Sequence, residues 1–141
     1  MRRLVVDASV AALWYFPEEH TARAESLLQV AKLELLTPGL LHVEMAALVR
    51  ERVRRGEIDG LLAERVLIAL RKAPLDVRPT SELAQDALGL MLRDGLSLHD
   101  SFYLALAVQA GCPVVTADSR FLDEVRGGPH EASVLWIGDL A

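Results

Sequence analysis

The amino-acid sequence predicts an α/β fold: a parallel sheet of about five strands with helices on both faces. Three observations predict it. Short apolar runs alternate with segments of helical character, and such alternation implies right-handed crossovers into a parallel sheet. Helices on both faces let the strands be continuously apolar, as the Val5-Val6 and Val114-Val115 pairs are. The chain has 141 residues, 52% of them hydrophobic, which suits one domain spanning 1–141 with a sizeable core.

The elements follow in order. The first strand is "RLVVD" (3–7), and helical segments at 8–15 and 18–31 come after it. The second strand is "LELLT" (33–37), where Thr37 and Pro38 read as N-cap and first residue of the next helix. A helix pair at 39–55 and 57–73 is hinged at Gly56. The third strand is "LDVRP" (75–79), before a second pair at 81–94 and 98–110 hinged at Gly95. Gly111, with Cys112-Pro113 behind it, marks the end of that pair. The strand "PVVTA" (113–117), a short helix at 119–126 and the strand "SVLWI" (133–137) complete the pattern.

Composition excludes several classes. No apolar run reaches the roughly 18–20 residues of a membrane span. The start, "MRRLVVDASVAALWYF", mimics a signal peptide, but Asp7 interrupts it and no clean cleavage site follows. A lone cysteine, Cys112, cannot form an intrachain disulfide and points to a reducing, cytoplasmic setting. A net charge of −5 is not that of a protein whose whole surface grips nucleic acid. There is no phosphate-binding glycine loop, no dinucleotide fingerprint and no serine nucleophile elbow. Ser9 stands where an aspartyl-phosphate phosphatase would carry a second Asp, and both lysines, Lys32 and Lys72, lie away from a late strand end.

Four acids stand where apolar residues are expected. Asp7 ends the first strand and Asp118 follows the fourth, at the carboxyl edge where open parallel sheets gather their chemistry. Glu44 has Leu40, Leu41, Ala47 and Leu48 as its helical neighbours, so it breaks an apolar stripe. Asp100 does the same among Leu96, Tyr103, Leu104 and Ala107. Plainer roles exist for three of them. Ser97 and Asp100 have capping-box spacing, Asp118 can cap the short helix, and Asp7 can cap the first. Two like charges 4 Å apart repel by about 4 kcal/mol at an effective dielectric of 20. Four converging carboxylates therefore demand raised pKa values or a hard cation, and all-oxygen donors suit Mg²⁺ or Mn²⁺. His20, His42, His99 and His130 have no zinc spacing, and His42 and His99 are expected to point off the acidic stripes.

These residues carry a likeness. "VVDASVAALWYFPEE", the Glu in "PGLLHVEMAALV", "GLSLHDSFYLALAVQAG" and "VVTADSRF" together resemble a PIN domain, and more narrowly a VapC-type toxin of a toxin–antitoxin pair. The likeness spans residue 4 to about 137. It implies a three-layer α/β/α fold with strand order 3-2-1-4-5, which makes the first and fourth strands neighbours. It implies that Asp7, Glu44, Asp100 and Asp118 hold Mg²⁺ or Mn²⁺, with Ser9 and Thr116 supporting them. It further implies RNA hydrolysis to a 5′-phosphate and a 3′-hydroxyl, a cognate antitoxin and a homodimer, with no role at a membrane. Asp123 is a candidate fifth acid, although a solvated helix position explains it as well. A catalytically silent module that binds RNA or protein is the competing reading. Trp14, Tyr15 and Phe16 are expected in the core or in an antitoxin groove. Arg50, Arg52, Arg54 and Arg55 form a phosphate-contacting edge or a solvated helix end.

Overall fold

The computed structural model describes residues 2–140. Five strands form one parallel sheet: β1 (Arg3–Val6), β2 (Glu34–Pro38), β3 (Asp76–Arg78), β4 (Val114–Thr116) and β5 (Val134–Trp136). Their order is β3-β2-β1-β4-β5. β1 is central, with Leu4 opposite Leu35 on one side and Val6 opposite Val115 on the other. Its Leu4, Val5 and Val6 are fully buried, as a strand covered on both faces requires.

Among the described residues seven α-helices join the strands: α1 (Ala8–Ala12), α2 (Thr21–Ser26), α3 (Leu40–Arg54), α4 (Gly60–Arg71), α5 (Ala84–Asp94), α6 (Leu98–Ala110) and α7 (Ser119–Val125). The chain steps outward from β1 to β2 to β3, then crosses back to β4. Right-handed crossovers put α1–α4 on one face of the sheet and α5–α7 on the other. The contacts follow this division: α1 packs on α3 and α3 on α4, while α5 packs on α6 and α6 covers β1, β2 and β4. The result is an α/β/α sandwich whose direction of winding reverses between β1 and β4. A crevice opens at such a switch point, beyond the strands' carboxyl ends.

The helix ends show why the chain turns where it does. Asp59 caps α4 by accepting the Leu62 N–H at 2.8 Å. Gly95 and Gly111 end α5 and α6 with φ of +68° and +65°, a conformation that costs glycine nothing. Two expectations need correction. Thr37 is no helix cap: β2 runs through Pro38, Gly39 occupies the cap position, and the buried Thr37 hydroxyl donates to the Val6 carbonyl at 3.1 Å. The helical segment expected at 18–31 is shorter, with α2 passing into a 3₁₀ turn at Leu27–Gln29.

The aromatic run takes the core role. Phe16 is buried, and the Trp14 indole N–H donates to the Ala24 carbonyl at 2.8 Å, tying α1 to α2. Arg52 lies 4.2 Å over the Phe16 ring and pairs with Glu18 and Glu57. Arg54 and Arg55 pair with Glu51, so three of the four arginines at this helix end are already matched by acids.

Candidate active site

Asp7 sits just beyond β1, with its side chain 5% exposed. It occupies the cap position of α1 but makes no side-chain cap bond. Two hydroxyls hold it instead. Ser9 Oγ donates to Asp7 Oδ2 at 2.5 Å, and Thr116 Oγ1 donates to the same oxygen at 2.8 Å. Each hydroxyl is oriented by the end of β4: Ser9 accepts the Ala117 N–H at 2.9 Å, and Thr116 accepts the Asp118 N–H at 3.0 Å. A hydroxyl has one proton to give. With both protons spent on Asp7, the 3.2 Å approach of Ser9 to Thr116 carries none. The network ties the turn after β1 to the turn after β4.

Glu44 comes from the second turn of α3 and Asp100 from the first turn of α6. Burial raises the Glu44 pKa, the Tyr103 hydroxyl counteracts this, and the charge of Asp7 adds to it. Tyr103 is itself fully buried, and its pKa is raised well above normal by burial and by the charges of Glu44 and Asp7. Among the described residues, Glu44 Oε1 and the Tyr103 hydroxyl are the buried side-chain atoms left without a hydrogen bond of acceptable geometry. His99 does not point away as expected: its Nδ1 lies 3.5 Å from Glu44 Oε2. Asp100 is pushed up to about 8, first by burial, then by the Glu124 carboxylate beside it and the charge of Asp7, against a lowering contact from Ser97.

Asp118 performs the helix-cap role as well. Its Oδ1 accepts the Arg120 N–H at 2.9 Å, opening α7. Its carboxylate also lines a cavity of 480 Å³ together with Glu44, Asp100, His99, Ser97, Arg120 and Glu124. Asp7 does not line that cavity, but its charge reaches Glu44, Asp100 and Tyr103. Glu124, not Asp123, is the fifth acid here. Glu124 Oε1 accepts the Ser97 N–H at 2.7 Å and so holds the start of α6, where the Ser97–Asp100 capping box was the plainer alternative for Asp100. Asp123 turns outward to Arg126 at 3.0 Å. Glu124 lies next to buried Val125 and three residues from buried Phe121, which is the signal that could have found it.

Four acids thus line one crevice with Asp7 buried beside it, and three of the five, Asp7, Glu44 and Asp100, bind protons more tightly than free carboxylates. Among the described residues no three His, Cys, Asp or Glu side chains stand close enough together to hold a metal ion as they are. The donor chemistry nonetheless fits a hard divalent cation. The donors are all oxygen, one buried carboxylate oxygen is orphaned, and a cation would offset the burial and the repulsion that raise the pKa values.

Comparison with known proteins identifies the family and the fold. The PIN domain family model matches residues 4–127. Ribonuclease VapC3 of Pyrobaculum aerophilum is 35% identical over 127 residues, which are 86% of this chain and 94% of that protein. The crystal structure of PAE2754 from Pyrobaculum aerophilum superposes with a TM-score of 0.70 at 20% identity, covering 96% of this chain and 84% of that one. A toxin–antitoxin complex from Klebsiella pneumoniae contains a chain with a TM-score of 0.63 at 16% identity, covering 94% and 95%. The chain belongs to the PIN domain family, in its VapC branch.

Proposed function

We propose that the protein is a Mg²⁺- or Mn²⁺-dependent endoribonuclease acting as the toxin of a toxin–antitoxin pair. The observation that carries the reading is the carboxylate group itself: four acids from the end of β1, α3, α6 and the turn after β4, three of which, Asp7, Glu44 and Asp100, have proton affinities raised first by burial and then by neighbouring acids. The ribonuclease name of the VapC3 relative supports RNA as substrate, and the Klebsiella complex supports an antitoxin partner. A homodimer and a cytoplasmic setting belong to the same reading.

Asp7, Glu44, Asp100 and Asp118 would hold the cation. When bound, the cation supplies a Lewis acid and lowers the pKa of water at the scissile phosphate. The remaining work belongs to the chain. Ser9 and Thr116 both bond Asp7 Oδ2, which fixes the carboxylate's plane and leaves Oδ1 without a hydroxyl partner. Glu124 restrains the first residue of α6 and with it the approach of Asp100. The Asp118 backbone is locked through Thr116, so the turn after β4 moves with Asp7. No side chain need become covalently attached to substrate.

The test is cleavage of structured RNA with Mg²⁺ or Mn²⁺. Asp7→Asn and Asp100→Asn are expected to lose more than about 100-fold in rate, beyond the 10–100-fold typical of outer partners, with unchanged circular dichroism. Full activity in both variants would remove the carboxylates from the reaction.

A further inference from the structure

We infer that Arg120 is a substrate-binding residue that grips an RNA phosphate at the mouth of the acidic cavity; the inference rests on the nuclease reading above. Arg120 is the only lysine or arginine among the residues lining that cavity, against Glu44, Asp100, Asp118 and Glu124. A polyanion approaching this crevice meets repulsion from every charged wall except this one. The guanidinium is placed by its own backbone: Arg120 N–H caps onto Asp118, which holds the side chain's origin beside the carboxylate.

The pairing it makes is loose. Nε lies 3.4 Å from Asp118 Oδ1 and Nη2 3.4 Å from Oδ2, long for charge-assisted bonds, which favour about 2.7–2.9 Å. The side chain is 88% exposed. Exposed pairs of this kind contribute little, so releasing the fork from Asp118 is cheap. A guanidinium presents parallel N–H donors that match a phosphate as well as a carboxylate. With Asp118 engaged by a cation, the fork would give up the acceptor it holds in this structure and, from its place in the cavity lining, would be free to bind a phosphodiester. The other arginine-rich surface, at the end of α3, has Arg52, Arg54 and Arg55 engaged by Glu18, Glu57 and Glu51. Arg120 is the cation held at the acids themselves.

The experiment compares wild type, Arg120→Ala and Arg120→Lys as full chains. Affinity for a fluorescent single-stranded RNA is read by anisotropy in Ca²⁺ across a salt series, and Mn²⁺ affinity by calorimetry without RNA. Arg120→Ala is expected to weaken RNA binding about tenfold and to reduce the log–log salt slope by about 0.7, the value of one single-strand phosphate contact. Arg120→Lys should keep the slope and recover part of the affinity, since it keeps the charge and loses the fork. Mn²⁺ affinity should hold or rise in Arg120→Ala, where a competing cation leaves Asp118, and hold in Arg120→Lys, where the charge remains. Equal RNA affinity and slope in wild type and Arg120→Ala would overturn the inference, and so would a loss of Mn²⁺ affinity matching the loss of RNA affinity. The nuclease reading fails differently, through absence of RNA cleavage by wild type in Mn²⁺.

Discussion

Thr116 illustrates how much one hydroxyl does here. It donates to Asp7 and accepts from the Asp118 backbone, so one side chain orients two of the four proposed ligands. Thr116→Val keeps the shape and removes both bonds. It is expected to lower Mn²⁺ affinity about tenfold, measured by calorimetry, and to cost about 1 kcal/mol in urea denaturation because the partly buried Asp118 N–H loses its acceptor. Unchanged Mn²⁺ affinity would separate the hydroxyl network from the site. At this scale much was legible. An acid in an apolar stripe announces itself, which is why Asp7, Glu44 and Asp100 stand out. Glu124 did not, because "LDEVR" reads as a solvated helix face and seven residues are too few to fix its phase. His99 was misread for a different reason: one residue's rotation on α6 says nothing about Glu44 on α3, which only the packing of two helices brings within 3.5 Å.

Between elements, the α6–α7 contact is the least expected. A carboxylate twenty-seven residues away closes the first turn of α6, where the local sequence offered Ser97 and Asp100. Glu124 also raises the Asp100 pKa, second only to burial. Glu124→Ala should therefore do two things. At pH 5 to 6 it should lower stability by about 1 kcal/mol, as loss of a helix cap does, read by urea denaturation. It should also bring the Asp100 pKa down from about 8, followed by the NMR shift of its carboxyl carbon. An unmoved Asp100 titration would break the link between α7 and the ligand. The strands and the α3, α5 and α6 patterns were readable from apolar runs and glycine stops. The Thr37 cap was not, since a hydroxyl before Pro-Gly serves equally well at the end of a strand, where β1 offers its carbonyl.

For the whole molecule, the acids set a pH dependence. Asp7, Glu44 and Asp100 have pKa values raised in the folded state, so protons bind that state more tightly than the unfolded chain. Their contribution to stability is full below about pH 4 and is lost as pH rises through the folded values, for Asp100 through about 8. Metal-free protein should thus melt lower at pH 8 than the same protein with Asp100→Asn, by about 3 °C for about 1 kcal/mol after allowance for solvent screening. The difference should vanish at pH 5. Adding Mn²⁺ should raise the wild-type melting temperature more at pH 8 than at pH 5, because at low pH the cation must displace protons. A melting temperature that ignores pH in the metal-free protein would contradict the buried charges. The sheet order, by contrast, was not readable from apolar patterns, which give strands but not neighbours; it followed from the family likeness.

That order has a consequence for how the protein comes into being. The bonds from the Ala117 N–H to Ser9 and from Thr116 to Asp7 join residues 108 and 109 positions apart. Asp7 and Glu44 leave the ribosome early, while Asp100, Asp118 and Glu124 emerge in the last third of the chain. β1 cannot be completed on its inner edge until β4 has been made. A nascent chain first carries two of the five acids, and the charge cluster forms only as the last strands dock. A site built this way is incomplete until the last third of the chain has been made and has docked on β1.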